Sequence, residues 1–235
     1  MPQHVLLNKV EHRDLRIINT TGAKYGDDVM CALTFPAEFR SVQDVYPILF
    51  IQSSTGVLTP VALLGLREKQ NLFLSESGWD APYIPLMIER QPFLIGDSPN
   101  GRVIHVDMDS PRVSKTEGIR LFTDEGANTD YLERVSNVLG AINEGMAGIP
   151  AFVDALLEHE LLASFSIDIQ YRDGGKFKFA GFHTIQEERL EKLDGAAIGK
   201  LHERGFLHPL FMIVASLSKF RNLVERASRL DPAVR

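Results

Sequence analysis

Hydrophobic positions along this chain change character between its two halves. In the first half they come as short runs, Met30 to Phe35, Tyr46 to Gln52 and Leu58 to Leu66, the last two separated by Ser53, Ser54, Thr55 and Gly56. Short apolar runs bounded by such turn chemistry predict neighbouring antiparallel strands. Between the first two, Pro36 to Val45 has the Ala, Glu and Gln of a short helix, and LFLSE at Leu72 to Glu76 predicts a fourth strand. Two briefer runs, Val5 to Leu7 and Leu15 to Ile18, sit in a mixed N-terminal stretch that reads as an edge strand or an arm.

In the second half the period lengthens. Thr129 is placed to cap a helix with Asp130 and Glu133 in its first turn, and Leu132, Val135, Val138, Leu139, Ile142 and Met146 make one apolar stripe. Gly148 reads as the stop, and Pro150 as the start of a second helix with Phe152, Val153, Leu156, Leu157 and Leu161 on one face, a helical hairpin in all. Phe165 to Ile185 predicts a β-hairpin. FSIDIQY alternates with Phe165, Ile167, Ile169 and Tyr171 inward, Arg172-Asp173-Gly174-Gly175 turns, and KFKFAGFHTI returns. Short polar helices over 186–193 and 195–204 follow, then a long amphipathic helix from His208-Pro209 through Leu210, Ile213, Val214, Leu217, Phe220, Leu223 and Val224. The pattern predicts an α+β fold, a mainly antiparallel sheet packed against a helical hairpin and a long C-terminal helix. Either one domain spans 1–235 or two packed halves meet, 1–127 mainly β and 128–235 mainly α with the β-hairpin.

Composition narrows the function classes. With 235 residues, 44% hydrophobic and 24% charged, the chain lies in the globular range. Its net charge of −6, with no run of Lys or Arg, argues against a nucleic-acid partner. Cys31 is the only cysteine, which leaves no intramolecular disulfide framework and no Cys-based zinc cluster. MPQHVLLNKVEHRDLRI has no apolar core of a signal peptide, and no window approaches the ~20 apolar residues of a membrane span. The expectation from these is a cytoplasmic location. Leu207 to Leu217 comes nearest to a span, but His208, Pro209 and Ser216 interrupt it, which predicts a buried helix.

Chemistry gathers between Gly78 and Leu121, where the only tryptophan, Trp79, lies near Tyr83, Arg90 and Phe93. Aromatic faces beside a forked guanidinium suit a ligand carboxylate, a sugar ring or a peptide. A helix from Tyr83 to Arg90 would put both on one side; the structural alternative makes Trp79 and Phe93 core and pairs Arg90 with Glu89 or Asp97. Asp107, Asp109 and Ser110 offer oxygens for Ca²⁺, or form a turn in which short side chains bond their own backbone. His105-x-Asp107, with His183 as a distal ligand, has the composition of a facial triad for Fe(II). No Gly-x-Ser-x-Gly elbow, phosphate loop or dinucleotide fingerprint occurs.

Trp79 with Tyr83-Ile84-Pro85, Arg90-Gln91-Pro92-Phe93, DMDSPRV from Asp107 to Val113, Leu121-Phe122, Asp124-Glu125-Gly126, Phe165-Ser166-Ile167 and Ala215-Ser216-Leu217-Ser218 together make a pattern spread over nearly the whole chain. In these residues the chain resembles the SapC family, bacterial proteins known mainly from gene neighbourhoods that include surface-layer and outer-membrane uptake systems. The resemblance implies a single SapC-like domain of unsettled biochemical role. The first expectation from the residues is a non-catalytic binding or accessory protein without a cofactor, meeting a small molecule or a protein through Trp79, Tyr83, Arg90, Asp107 and Asp109. A reading from a different class is an Fe(II)-dependent oxygenase of the 2-oxoacid type using His105, Asp107 and His183.

Overall fold

A computed structural model describes residues 3–98, 101–170 and 176–230 of the chain. The strands are β1 (His4–Leu6), β2 (Arg16–Ile17), β3 (Cys31–Leu33), β4 (Ile48–Gln52), β5 (Leu58–Leu63), β6 (Leu74–Ser75), β7 (Gly78–Trp79), β8 (Phe93–Ser98), β9 (Gly101–Asp107), β10 (Val113–Ser114), β11 (Ile119–Arg120), β12 (Leu162–Gln170) and β13 (Lys176–Ile185). The helices are α1 (Phe39–Val42), α2 (Leu86–Glu89), α3 (Asp130–Glu158), α4 (Glu187–Leu190), α5 (Gly195–Glu203), α6 (Leu207–Ser216) and α7 (Lys219–Leu230). The fold is α+β with antiparallel pairing throughout, and it divides into two compact units of interleaved sequence.

The first unit takes the chain up to Asp27, Leu74–Asp80 and Leu86–Glu144. Its larger sheet has the order β1-β9-β8, and the register sets Val5 opposite Val106 and Val106 opposite Phe93. That rung faces the core, where Phe93 and Val106 meet Leu15, Ile17, Leu121 and, from α3, Leu132, Val135 and Leu139. The next rung, Leu6, His105 and Leu94, points the other way, as a period of two requires. A smaller sheet, β10-β2-β11, turns the arm around Ile17 into the same core.

The second unit takes Asp28–Phe73, Ala81–Pro85 and residues from Gly145 onward. Its five-stranded sheet has the order β12-β13-β4-β5-β3, so the three apolar runs of the first half do become neighbouring antiparallel strands. Ile48, Leu49 and Phe50 are all fully buried, as are Val61, Ala62 and Leu63. Covered on both faces, these strands read as continuous apolar runs rather than alternation. The expected hairpin forms, with Leu162 opposite Ile185 and Gln170 opposite Lys176; its turn at Arg172 to Gly175, and Tyr171, lie outside the described residues. The register shifts between the Phe165–Phe182 and Ile167–Phe179 pairs, and along β12 Ile169 is buried while Ile167 is 38% exposed. Phe220 of α7 covers the hairpin at 5.5 Å from both Phe165 and Phe179.

Two helix boundaries differ from the pattern's expectation. The helical hairpin with a stop at Gly148 is instead one 29-residue helix, α3, with Pro150 inside it. Its apolar positions keep an unbroken three-four spacing across the proline, through Leu139, Ile142, Met146, Ile149, Val153 and Leu156. Pro150 itself is exposed, so its ring displaces no core side chain. Gly145 serves packing: a Cβ there would lie 2.0 Å from the ring of the buried Phe35. The long C-terminal helix is in turn two, α6 and α7, separated at Leu217 and Ser218. The buried Ser216 hydroxyl accepts from the Ile48 amide at 2.8 Å and donates to the Ile213 carbonyl at 2.6 Å, and Ser218 donates to the Ala215 carbonyl. Serine bonds to the preceding turn compete with the helical ladder where the break falls.

Candidate functional site

The residues singled out between Gly78 and Leu121 are divided between the two units. Trp79 ends β7 in the first unit, half-buried and opposite Leu74. Tyr83 belongs to the second unit, where its hydroxyl donates to Glu38 Oε1 at 2.8 Å and its carbonyl accepts from the Tyr46 hydroxyl. Glu38 Oε2 accepts in turn from Thr34 Oγ1 at 2.6 Å, and Thr34, Glu38 and Tyr46 are all buried. Tyr83 therefore closes an internal polar chain. The helix expected from Tyr83 to Arg90 covers only Leu86–Glu89, starting just after the buried Pro85, so the two residues share no helix face.

Arg90, in the first unit, bends back on its own turn and donates from Nη1 to the Phe93 carbonyl at 2.7 Å. Burial lowers its pKa from the usual guanidinium range. Glu89 pairs with Arg134 at 2.6 Å rather than with its neighbour. Asp107 Oδ1 accepts from the Asp109 amide at 3.2 Å, the geometry of a turn held by its own side chain.

A residue that sequence reading passed over organises the first unit. Arg112 is 4% exposed, and its Nη2 donates to both oxygens of the fully buried Asp27, at 2.7 and 2.6 Å. Nη1 donates to the carbonyls of Thr20, at 2.7 Å, and Ile18, at 3.3 Å, while the guanidinium lies over the Tyr25 ring at 5.1 Å from its centroid. Asp27 also accepts from the Gly22 amide at 2.8 Å. A single side chain thereby ties down the whole arm from Ile18 to Asp27. Tyr131 stands in the same unit with its ring 6.4 Å from Phe93; burial pushes its phenol up to about 12, with Arg112 opposing and Glu89 adding to that rise.

His105 and Asp107 share one face of β9 in the first unit, whereas His183 lies on β13 in the second. The His105 ring lies against Gly96, where a Cβ would come 2.6 Å from Nε2. His183 Nδ1 is buried without a hydrogen-bond partner. Among the described residues, no three His, Cys, Asp or Glu side chains come together in a group that could hold a metal ion.

An apolar groove open to solvent lies in the second unit. On α6, Pro209, Leu210, Met212 and Ile213 are buried, yet Leu207, Phe211 and Val214, spaced i, i+4, i+7, form a second apolar stripe on the other side. That stripe, with Leu190 of α4 and Ile198 of α5, lines a groove of about 310 Å³, and Phe211 remains 51% exposed. Among the described residues, the charged ones lining it are Glu187 and Glu191. Asp194 caps α5 by accepting from the Ala197 amide at 2.8 Å, which fixes the end of that wall.

The sequence profile of SapC matches residues 7–223, most of the length and all of the groove. The chain belongs to the SapC family. No curated protein and no solved structure matches it. Among the residues that carry the SapC resemblance, Tyr83, Arg90 and Ser216 make internal hydrogen bonds, Arg112 holds the arm, and Leu121 and Phe122 are core. Gly126 takes φ +80° in the turn closed by Thr123, a conformation that suits glycine. These parts of the SapC pattern thus shape the fold, while the groove on α4, α5 and α6 lies outside them. No helix among the described residues is long and apolar enough to cross a membrane.

Proposed function

We propose that this SapC protein is a non-catalytic binding or accessory protein that works in the cytoplasm alongside surface-layer or outer-membrane nutrient-uptake systems. The observation that carries the reading is the second apolar stripe of α6, left open beside α4 and α5. A helix apolar on both sides is ordinarily covered on both. Tyr83, Arg90 and Asp107 each make an internal bond where a ligand contact was expected, so the binding reading rests on the groove instead. The gene neighbourhoods that the SapC resemblance implies supply the cellular setting.

The test is a photo-crosslinking residue placed at Phe211, with one at Arg221 as the control, in cells that carry surface-layer and uptake genes. Arg221 sits on α7 with its side chain 87% exposed. A discrete adduct with a component of those systems, formed from position 211 alone, is expected. The same adducts from both positions, or none from either, would count against the reading.

A further inference from the structure

We infer that the α4–α6 groove receives one face of a basic amphipathic helix from a protein partner; this rests on the binding reading above. Three features of the groove lead to that occupant.

Size comes first. At about 310 Å³ the groove has roughly twice the ~150 Å³ that admits a benzene ring, which is room for two apolar side chains. Two such anchors one turn apart on a helix stand about 5–6 Å from each other. The stripe that receives them, Leu207, Phe211 and Val214, repeats with the same helical spacing.

Backbone chemistry comes second. The groove is lined by α4, the turn at Glu191 that ends it, α5 and α6, none of which offers a free strand edge to pair with. An extended peptide lying there would leave its amides and carbonyls without partners, whereas a helix brings its own hydrogen bonds. The groove therefore selects a helix over a strand.

Charge comes third. Glu187 and Glu191 are exposed, lie one helical turn apart, and are, among the described residues, the charges in the lining. Lysine or arginine beside the apolar anchors of the incoming helix would meet both of them at the rim. Acidic flanks would be repelled. Rim charges of this kind govern specificity and association rate more than tightness.

The experiment uses the full chain and two labelled alanine-based helical peptides, each with leucines one turn apart. One carries lysines along the flank and its twin carries glutamates, and binding is read by fluorescence anisotropy at low salt. The lysine peptide is expected to bind at least about tenfold more tightly than its twin. Glu187→Lys with Glu191→Lys should reverse that preference, and Phe211→Asp should weaken both peptides at least about tenfold. Ile198→Asp, at a position 38% exposed, repeats the second test if the Phe211 variant fails to fold.

Equal binding of the two peptides, or a preference unmoved by the charge reversal, would overturn the basic helix and leave an apolar binding groove standing. Crosslinking from position 211 with no binding of either peptide would overturn it in the same way. A concentration-dependent dimer that Phe211→Asp dissolves would identify a second copy of this chain as the occupant, and would also overturn it.

Discussion

Asp27 and Arg112 lie 85 positions apart and meet fully buried, with two carbonyls and a backbone amide completing the arrangement. Removing one member of a buried ion pair strands the other, at a cost of about 3–5 kcal/mol. Asp27→Asn should therefore lower the urea midpoint strongly at an unchanged m value, since it leaves the surface exposed on unfolding as it was. Tyr131 gives a second test at this scale. An unfolded tyrosine ionises near pH 10, and in the folded chain burial delays this to about 12. The unfolded state then releases its proton first, so stability present below pH 10 is lost as the pH rises toward 12. Tyr131→Phe should flatten that alkaline decline, as read by unfolding at a series of pH values. The role of Arg112 was not legible in DSPRV because its partners come from a distant arm with no local signal. Arg90 misled for a related reason: its carbonyl partner is three residues away, and only the turn that brings it back reveals the bond.

Apolar patterning is most informative where its ends coincide with turn residues. The strands of the five-stranded sheet and the Phe165 hairpin were legible because apolar runs and turn residues coincide there. The single helix α3 was not, because Gly148 and Pro150 are strong local breakers while the stripe that overrides them is a property of the whole length. Pro150 is exposed inside that helix, so Pro150→Ala restores an amide donor without disturbing the core. It should raise stability by about 1–3 kcal/mol, measured as a higher urea midpoint. The break between α6 and α7 was hidden for the opposite reason: their apolar pattern runs on, and the serine bonds that end α6 involve a strand far away in sequence. The stripe on the other side of α6 was likewise read simply as buried core.

The two units draw on alternating stretches of chain, and α3 gives residues up to Glu144 to one and from Gly145 onward to the other. A chain cut between 127 and 128 would take Leu132, Val135 and Leu139 away from Leu15, Ile17, Phe93 and Leu121. The fragment 1–127, expressed alone, should show the narrow amide dispersion of an unfolded chain and bind a hydrophobic dye. Adding 128–235 should restore some native signal if the pieces reassemble. Well-resolved shifts from 1–127 alone would show that the first unit closes without the helix.

The same interleaving bears on how the protein is made. Ile17 is translated long before Leu132, its fellow core residue; about 115 positions separate them. At ribosomal speeds of 5–20 residues per second that is on the order of ten seconds. Phe93, Val106 and Leu121 emerge within that interval, but the core around the arm stays open until the α3 residues Leu132, Val135 and Leu139 follow. Slowing elongation before residue 130 should therefore lower the soluble fraction even though the finished chain is identical, and an unchanged soluble fraction would show that the early residues shelter the arm by themselves.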